Sequence, residues 1–364
     1  MSRICTLFLS TSLLSCLACN APEIHTVRQA RVMMDTAASI RLFLADAQAE
    51  QRALSDMDAA FKEMARLDSA MSFYRDDSEV TAINRWAAHL PDQPSRADSF
   101  AVSAELDTIL RTALDVSRIS SGAFDVTIAP LMQLWGFGTD RLHRPAREDL
   151  QASLPLVNFR RVQLYEIPFS PANGHYGALL RLQQTGMAFD LGGIAKGFIV
   201  ERGLRVLQRR GYQDAIVEAG GDFCASVSAL TRGRRHIWVQ HPRQRDKFFA
   251  RFKMDGGAVS TSGDYERFFE EAGQRYHHIL NPRTGFPAGI DNGSRTTVSA
   301  TVTAQSAMIA DAFSTAMFVL GPERAVALAD SLPEVETMII YLEDGRLNWR
   351  ASRGLAAKLE IISN

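Results

Sequence analysis

Residues 189–197 read FDLGGIAKG, with a carboxylate and two glycines between an apolar run and a predicted helix. The pattern predicts a strand over 183–190 that enters a glycine-rich turn, and a helix over 195–210 that leaves it. Glycines let the backbone approach a ligand closely, and free N–H groups at a helix start favour phosphate. The GxxxxGK[ST] and GxGxxG patterns are both absent from this stretch. Taken alone, it fits a phosphate-binding loop and a purely structural turn about equally well.

The rest of the sequence mixes strands and helices without regular βαβ alternation. Further strands are predicted at 38–46, 214–219 and 236–240, and further helices at 50–68, 103–119 and 304–320. This order favours an α+β fold over a doubly wound parallel sheet. We expect one compact domain over residues 30–360, with a division into two lobes left open.

Composition excludes several classes of protein. The chain has 364 residues, of which 46% are hydrophobic, enough for a sizeable core. Lys+Arg 40 against Asp+Glu 41 argues against nucleic acid as a partner. Four cysteines are too few for a disulfide scaffold. Cys224 is predicted to be a small core residue, and a basic run at 243–253 is interpreted as a solvated face.

Residues 1–19 read MSRICTLFLSTSLLSCLAC and are predicted to be a leader. The apolar stretch after Arg3 is too short for a permanent membrane span and is typical of a secretory signal. Small residues and cysteines follow, as in a bacterial lipobox, and the frame ending at Cys19 is favoured over the one ending at Cys16. We therefore expect an exported protein at the periplasmic face of a bacterial membrane, anchored by lipid. An ordinary cleaved signal is the alternative.

The predicted helix 304–320 carries oxygen ligands among small and apolar residues. Asp311 and Thr315 are four residues apart and share one helical face. A buried carboxylate needs a partner, and carboxylate plus hydroxyl oxygens suit a hard cation such as Mg²⁺. The alternative pairs Asp311 with an arginine or with backbone N–H groups.

Two further regions combine polar and aromatic residues with glycines. His277 and His278 precede a turn, and on a strand they would point to opposite faces, so at most one serves a given site. Tyr74 and the segments 121–127 and 134–138 place aromatic rings beside glycines, which fits either a slot for a flat ring or an aromatic core.

Taken together, these segments resemble the ApbE family of FAD:protein FMN transferases. Eight collinear stretches carry the resemblance: Met34-Asp35-Thr36, SFYRDDSEVTAIN (72–84), SGAFDVTIAPLMQLWGFG (121–138), FDLGGIAKG (189–197), EAGGD (218–222), VSTSGDY (259–265), HILNPRTG (278–285) and VTAQSAMIADAFSTAMFVLG (302–321). The family often has Gly where Asp35 stands and Asp where Asn281 stands.

The resemblance implies a reaction and a set of site residues. FAD would be cleaved at its diphosphate, AMP released, and FMN joined by a phosphoester to a Thr or Ser hydroxyl of an exported target, an electron-transfer subunit. His278 would be the general base, and Gly193, Asp311 and Thr315 would hold Mg²⁺. The positions that would contact FAD are Met34, Tyr74, Ala123, Phe124, Asp125, Asp190, Lys196 and Ile279. Two alternatives stay open, a Mg²⁺-dependent FAD pyrophosphatase and a non-catalytic FAD-binding lipoprotein.

Overall fold

An antiparallel sheet of eight strands forms the centre of the protein. The computed structural model describes residues 24–139, 141–167, 176–289 and 295–363, so the predicted leader lies outside the described residues. The strands are β1 (His25–Met33), β2 (Thr36–Leu44), β3 (Phe100–Ser103), β4 (Val162–Glu166), β5 (Tyr176–Leu182), β6 (Ala215–Ala219), β7 (Asp222–Ser226), β8 (His236–Gln240), β9 (Phe248–Lys253), β10 (Gly257–Gly263), β11 (Phe268–Glu271), β12 (Gln274–His277), β13 (Arg295–Ala304), β14 (Glu336–Glu343), β15 (Arg346–Ala351) and β16 (Leu359–Ile361). The central sheet has the order β1-β2-β6-β7-β10-β13-β14-β15.

Helices cover one face of this sheet. The described helices are α1 (Glu50–Met71), α2 (Glu79–Ala88), α3 (Ala104–Ile119), α4 (Ala129–Trp135), α5 (Arg147–Ser153), α6 (Ala195–Arg209), α7 (Ala307–Leu320), α8 (Pro322–Ala329) and α9 (Arg353–Ala356). Three of them do not cover this face, because α4 and α5 contribute to a separate aromatic core and Leu355 of α9 packs in the core on the opposite face. Helices α1, α3, α6 and α7 pack their apolar faces together in one large core with β2, β6 and β10. Among the described residues, no helix is both long and apolar enough to cross a lipid bilayer.

The opposite face of the sheet packs on a small sheet of order β16-β9-β8. Strand β14 shows how both faces are used, because Ile339 joins the helical core while Met338 and Ile340 join the outer core. A strand that is covered on both faces has a nearly continuous apolar sequence. The basic run 243–253 is therefore only partly a solvated face, since Phe249 and Phe252 of β9 are buried in this second core.

An aromatic cluster brings two of the quoted motifs together. The buried Trp135 donates its indole N–H to the carbonyl of Gly285 at 2.7 Å, and its ring lies 5.4 Å from that of Tyr276 between centroids. Arg283 reaches back to the carbonyl of Ser121 at 2.6 Å. The stretches 121–138 and 278–285, far apart in sequence, are therefore held side by side.

Most of the predicted elements are present, and two predictions need correction. No strand forms over 183–190: strand β5 ends at Leu182, and Ala188 makes only an isolated bridge to Ile128. The helix predicted from residue 304 begins at Ala307, because Ala304 ends β13 and the Ser306 hydroxyl caps the helix by accepting from the Ile309 N–H. The α+β class is confirmed, and Cys224 is buried as expected.

Candidate active site

A cleft of about 470 Å³ opens where the ends of several elements meet. Its walls come from the β1–β2 turn, the end of α1, the turn before α6, the end of β10, the segment after β12 and the face of α7. All twelve residues that the sequence singled out line it: Met34, Tyr74, Ala123, Phe124, Asp125, Asp190, Gly193, Lys196, His278, Ile279, Asp311 and Thr315. Their chemical roles stay predictions.

The segment before α6 is held extended without belonging to a sheet. The Asn84 side chain clamps Phe189 from both sides, donating to its carbonyl at 2.9 Å and accepting from its N–H at 2.8 Å. The Asp190 N–H donates to the Val126 carbonyl at 3.0 Å. The Asp190 carboxylate then accepts from the Gly192 N–H at 2.7 Å and closes the turn. These contacts hold Phe189 and Asp190 extended, although no strand forms over 183–190.

Helices α6 and α7 approach unusually closely beside this turn. A Cβ on Gly197 would lie 2.2 Å from the Ala307 carbonyl oxygen, so only glycine fits there. Glu201 of α6 accepts from the Ser306 hydroxyl at 2.5 Å and from the Ala307 N–H at 3.0 Å. The glycine-rich turn and the start of α7 are thus fixed relative to one another.

The close approach buries a network of charged groups. Asp311 is 2% exposed, and its Oδ2 accepts from the Gly197 N–H at 2.9 Å. Lys196 donates to the buried Asp222 at 2.6 Å and lies 3.8 Å from Oδ1 of Asp311. Burial, reinforced by the charge of Asp222, raises the pKa of Asp311. The two carboxylates raise the pKa of Lys196 despite its burial, so the ammonium stays charged.

The donor set around Asp311 fits a hard cation. Oδ1 of Asp311 accepts no hydrogen bond from a described residue, and Thr315 lies one turn further along α7. A Cβ on Gly193 would lie 3.0 Å from the Thr315 hydroxyl oxygen, which places the turn backbone against the same helical face. Within the described ranges, no group of three His, Cys, Asp or Glu side chains could hold a metal. A single carboxylate, a hydroxyl and backbone oxygens suit Mg²⁺, which takes its remaining ligands from water and phosphate.

His278 has one ring nitrogen tied to the protein. Its Nδ1 lies 3.2 Å from the Arg267 carbonyl oxygen, which also accepts from the His278 backbone N–H at 3.0 Å. A carbonyl only accepts, so Nδ1 carries the proton and Nε2 is left with its lone pair. Burial, together with the nearby His277 and Arg267, lowers the pKa of His278 to about 3, so the ring is neutral at physiological pH. The buried His277 instead makes a hydrogen bond through Nε2 to the Ala288 carbonyl oxygen at 3.0 Å, so this nitrogen is not free to act as a base.

The β1–β2 turn contributes Met34 under backbone strain. Met34 and Asp35 have φ values of 52° and 56°, the left-handed conformation that two-residue hairpins require and that glycine adopts most easily. The Met34 N–H donates to the Asp68 carboxylate at 3.1 Å, which fixes the turn on the end of α1. Strain of this kind is concentrated at functional sites.

Two other predicted residues have structural bonds of their own. The buried Asp125 carboxylate accepts from the Thr127 N–H at 2.9 Å, its hydroxyl at 2.6 Å and the Phe159 N–H at 2.9 Å, so it shapes the segment that presents Phe124. Tyr74 packs on Gly138, where a Cβ would lie 2.1 Å from its ring. Tyr74 is 47% exposed, and the partial burial of its phenol together with the charge of Asp190 raises its pKa to about 12, so the phenol stays protonated.

Comparison with known proteins decides the family. A sequence profile of the ApbE family matches residues 34–339. This chain belongs to the ApbE family. A Treponema pallidum protein named FAD:protein FMN transferase is 31% identical over 351 residues, which cover 93% of this chain and 90% of that protein. The structure of the ApbE protein from Thermotoga maritima superposes with a TM-score of 0.75 at 28% identity, covering 92% of this chain and 99% of that one. The flavin transferase ApbE from Vibrio cholerae gives a TM-score of 0.73 at 27% identity, covering 92% and 100%.

Membership of the ApbE family confirms the resemblance drawn from the eight motifs and the expectation of a transferase enzyme. Sequence reasoning missed other residues of the cleft and its surroundings, notably Arg267, Ser262 and Asp222. Asp222 and Ser262 lie inside quoted motifs, but nothing in their spacing shows that Asp222 pairs with Lys196. Arg267 lies two residues beyond the motif 259–265, and no periodicity marks it.

Proposed function

We propose that this protein is a Mg²⁺-dependent FAD:protein FMN transferase. It breaks the diphosphate of FAD, releases AMP and joins FMN through a phosphoester to a Thr or Ser hydroxyl of a target protein. In this reaction the acceptor oxygen forms a bond to the flavin-side phosphorus while the bond from that phosphorus to the AMP oxygen breaks. The hydroxyl proton goes to the base, and AMP leaves with the bonding electron pair.

The observation that supports this proposal best is the state of His278. A Thr or Ser hydroxyl is a weak nucleophile and needs a neutral base with a free lone pair beside it. The bond from Nδ1 to the Arg267 carbonyl leaves Nε2 as the acceptor, and the ring lines the cleft. General-base catalysis contributes about 10²–10⁴-fold when the pKa of the base lies near the operating pH, so the lowered pKa of His278 has to rise when the anionic diphosphate binds beside it.

Other residues of the cleft supply binding and charge. Lys196 keeps a positive charge in the wall, held by Asp222 at 2.6 Å. Phe124, Tyr74 and Ile279 offer apolar and aromatic surface for a flat ring. A Mg²⁺ ion bound by Asp311, Thr315 and the backbone at Gly193 would act as a Lewis acid and neutralise charge on the diphosphate.

The leader suggests where the reaction takes place. We extend the proposal to an exported enzyme, anchored by lipid through Cys19 or Cys16 at the periplasmic face, which acts on an exported electron-transfer subunit. The support is the sequence of residues 1–19. Labelling cells with a radioactive fatty acid tests the anchor. The label should appear in the wild type and be lost in one of the two variants Cys19→Ala and Cys16→Ala, whichever removes the lipidated cysteine. An unlabelled wild-type protein would contradict the anchor but leave the transferase proposal standing.

The activity is tested by incubating the purified protein with FAD, Mg²⁺ and a candidate target. If FMN is transferred, the target protein should give a fluorescent band that survives denaturation. Its mass should increase by the mass of FMN minus one water, and one AMP should be released for each flavin attached. A parallel reaction with His278→Ala is the control for non-enzymatic labelling.

The same assay separates the alternatives. Free FMN and AMP in equal amounts, with no labelled target, would show that water takes the place of the hydroxyl and that the protein is a pyrophosphatase. Unchanged FAD with every candidate target would contradict both activities.

A further inference from the structure

The charges that line the cleft do not match the substrate proposed for it. Six of the described residues in its walls are carboxylic acids, namely Asp35, Asp68, Asp125, Asp190, Glu266 and Asp311. Two carry positively charged side chains, Lys196 and Arg267, and His278 is neutral. A diphosphate is an anion, so it binds in such a cleft only where positive charge meets it. A Mg²⁺ ion at Asp311 would supply part of that charge, and a cationic side chain that is free to contact the phosphates would supply the rest.

Lys196 does not meet this need by itself. Its ammonium donates to Asp222 at 2.6 Å and lies 3.8 Å from Asp311, so two buried carboxylates already balance its charge. Arg267 is different: its side chain is exposed, and it makes no ion pair with any residue in the described part of the chain. The guanidinium is near Tyr74 and Asp190, where its charge opposes the rise in pKa that burial causes at each.

Arg267 also makes hydrogen bonds to His278, the proposed base. Its carbonyl oxygen accepts from the backbone N–H of His278 at 3.0 Å and from the ring Nδ1 at 3.2 Å. The phosphorus attacked by the acceptor hydroxyl has to lie near that base. Arg267 positions His278, so its guanidinium is suited to bind the phosphate group that contains this phosphorus. The planar guanidinium can make two hydrogen bonds to phosphate oxygens.

We propose that Arg267 is a further catalytic residue, whose guanidinium binds the flavin-side phosphate of FAD and stabilises the charge that develops there during transfer. The proposal rests on the proposed function for the identity of the substrate. It assigns two tasks to one residue: the side chain binds the phosphate, and the backbone carbonyl fixes the tautomer of His278. Only the side-chain task is removed by substitution.

The test compares the affinities of riboflavin, FMN and AMP for the wild type, Arg267→Ala and Arg267→Lys. Titrations by calorimetry in the presence of EDTA keep metal ions out of the measurement. Arg275→Ala is the matched control, because Arg275 lies on the adjoining β12 but outside the cleft and pairs with Glu270. Circular dichroism of each variant checks that it is folded.

In the wild type, FMN should bind more tightly than riboflavin because of its phosphate. Arg267→Ala should weaken FMN binding about 10–100-fold, the range for hydrogen bonds to charged groups, while riboflavin and AMP are unaffected. Arg267→Lys should recover part of the loss, since it keeps the charge but not the fork. Arg275→Ala should match the wild type.

Three results would overturn the proposal: equal affinity of the wild type for FMN and riboflavin, unchanged FMN affinity in Arg267→Ala, or a loss that falls on AMP instead. If Arg267→Ala does not fold, the FMN affinity of Arg267→Lys decides in the same way. Failure of the wild type to label any target would contradict the proposed function, and the phosphate comparison would still judge Arg267.

Discussion

Replacing Gly197 by alanine tests whether the close approach of α6 and α7 builds the cleft. The new Cβ would lie 2.2 Å from the Ala307 carbonyl oxygen and 2.7 Å from Cβ of Asp311. Ordinary van der Waals contact begins near 3.4 Å, so one helix must move by about 1.2 Å to relieve the carbonyl contact. Neither a carbonyl nor a Cβ can swing aside, because both are part of or attached to the backbone.

The shift has two measurable consequences. Overpacking of this kind costs about 1–3 kcal/mol in the free energy of unfolding, measured by urea denaturation. It also moves Asp311 away from the glycine-rich turn, and a displacement of about 1 Å at a reaction centre lowers the rate about 100-fold. We therefore expect Gly197→Ala to be folded, less stable and nearly inactive in FMN transfer.

Gly203→Ala is the matched control in the same helix. The atoms nearest to its Cβ would be Sδ and Cγ of Met64, at 2.7 and 3.0 Å, and a Val217 methyl at 3.4 Å, so a buried but flexible side chain has to move instead of backbone. Transfer should be unchanged because Gly203 does not line the cleft, and the loss of a glycine from the helix should offset about 0.5–1 kcal/mol of the cost of moving Met64. If Gly197→Ala kept both wild-type stability and wild-type transfer, the reasoning about this contact would be refuted.

Two further substitutions separate binding from chemistry, and a third tests a structural role. His278→Ala should lower transfer about 10²–10⁴-fold yet leave FAD affinity unchanged by calorimetry, and equal transfer rates would remove His278 from the mechanism. Asp311→Asn should abolish the dependence of turnover on Mg²⁺ by lowering turnover to the metal-free level; a Mg²⁺ titration like that of the wild type would exclude Asp311 as a ligand. Asp125→Ala should cost at least about 1–3 kcal/mol in the free energy of unfolding, because the N–H groups of Thr127 and Phe159 lose their acceptor, and an unchanged urea midpoint would count against this role.

The elements with strong helical periodicity could be predicted from sequence. Helices α1, α3 and α6 begin and end within a few residues of the predicted bounds, because each buries one apolar stripe. The strand predicted over 183–190 does not form, because Asn84 and Val126 supply Phe189 and Asp190 with the hydrogen bonds that a neighbouring strand would otherwise provide. Local sequence carries no sign of such distant partners.

The candidate site, too, could be predicted only in part from the sequence. The motif resemblance predicts that Asp311 and His278 share one cleft, although no spacing along the chain shows that the two meet. The pairing of Lys196 with Asp222 and the position of Arg267 depend on how β7, β10 and the β11–β12 hairpin are arranged around the cleft. This pairing and this position arise from tertiary packing, and local sequence patterns do not reveal them.

The central claim is that Asp311 and the glycine-rich turn hold a divalent cation against the diphosphate of FAD. The most direct measurement is a crystal structure of the complex with FAD and Mn²⁺, with anomalous scattering used to locate the metal. We predict a peak within coordination distance of the Asp311 carboxylate, the Thr315 hydroxyl and a diphosphate oxygen. A peak elsewhere, or FAD bound with its diphosphate remote from α7, would contradict the account.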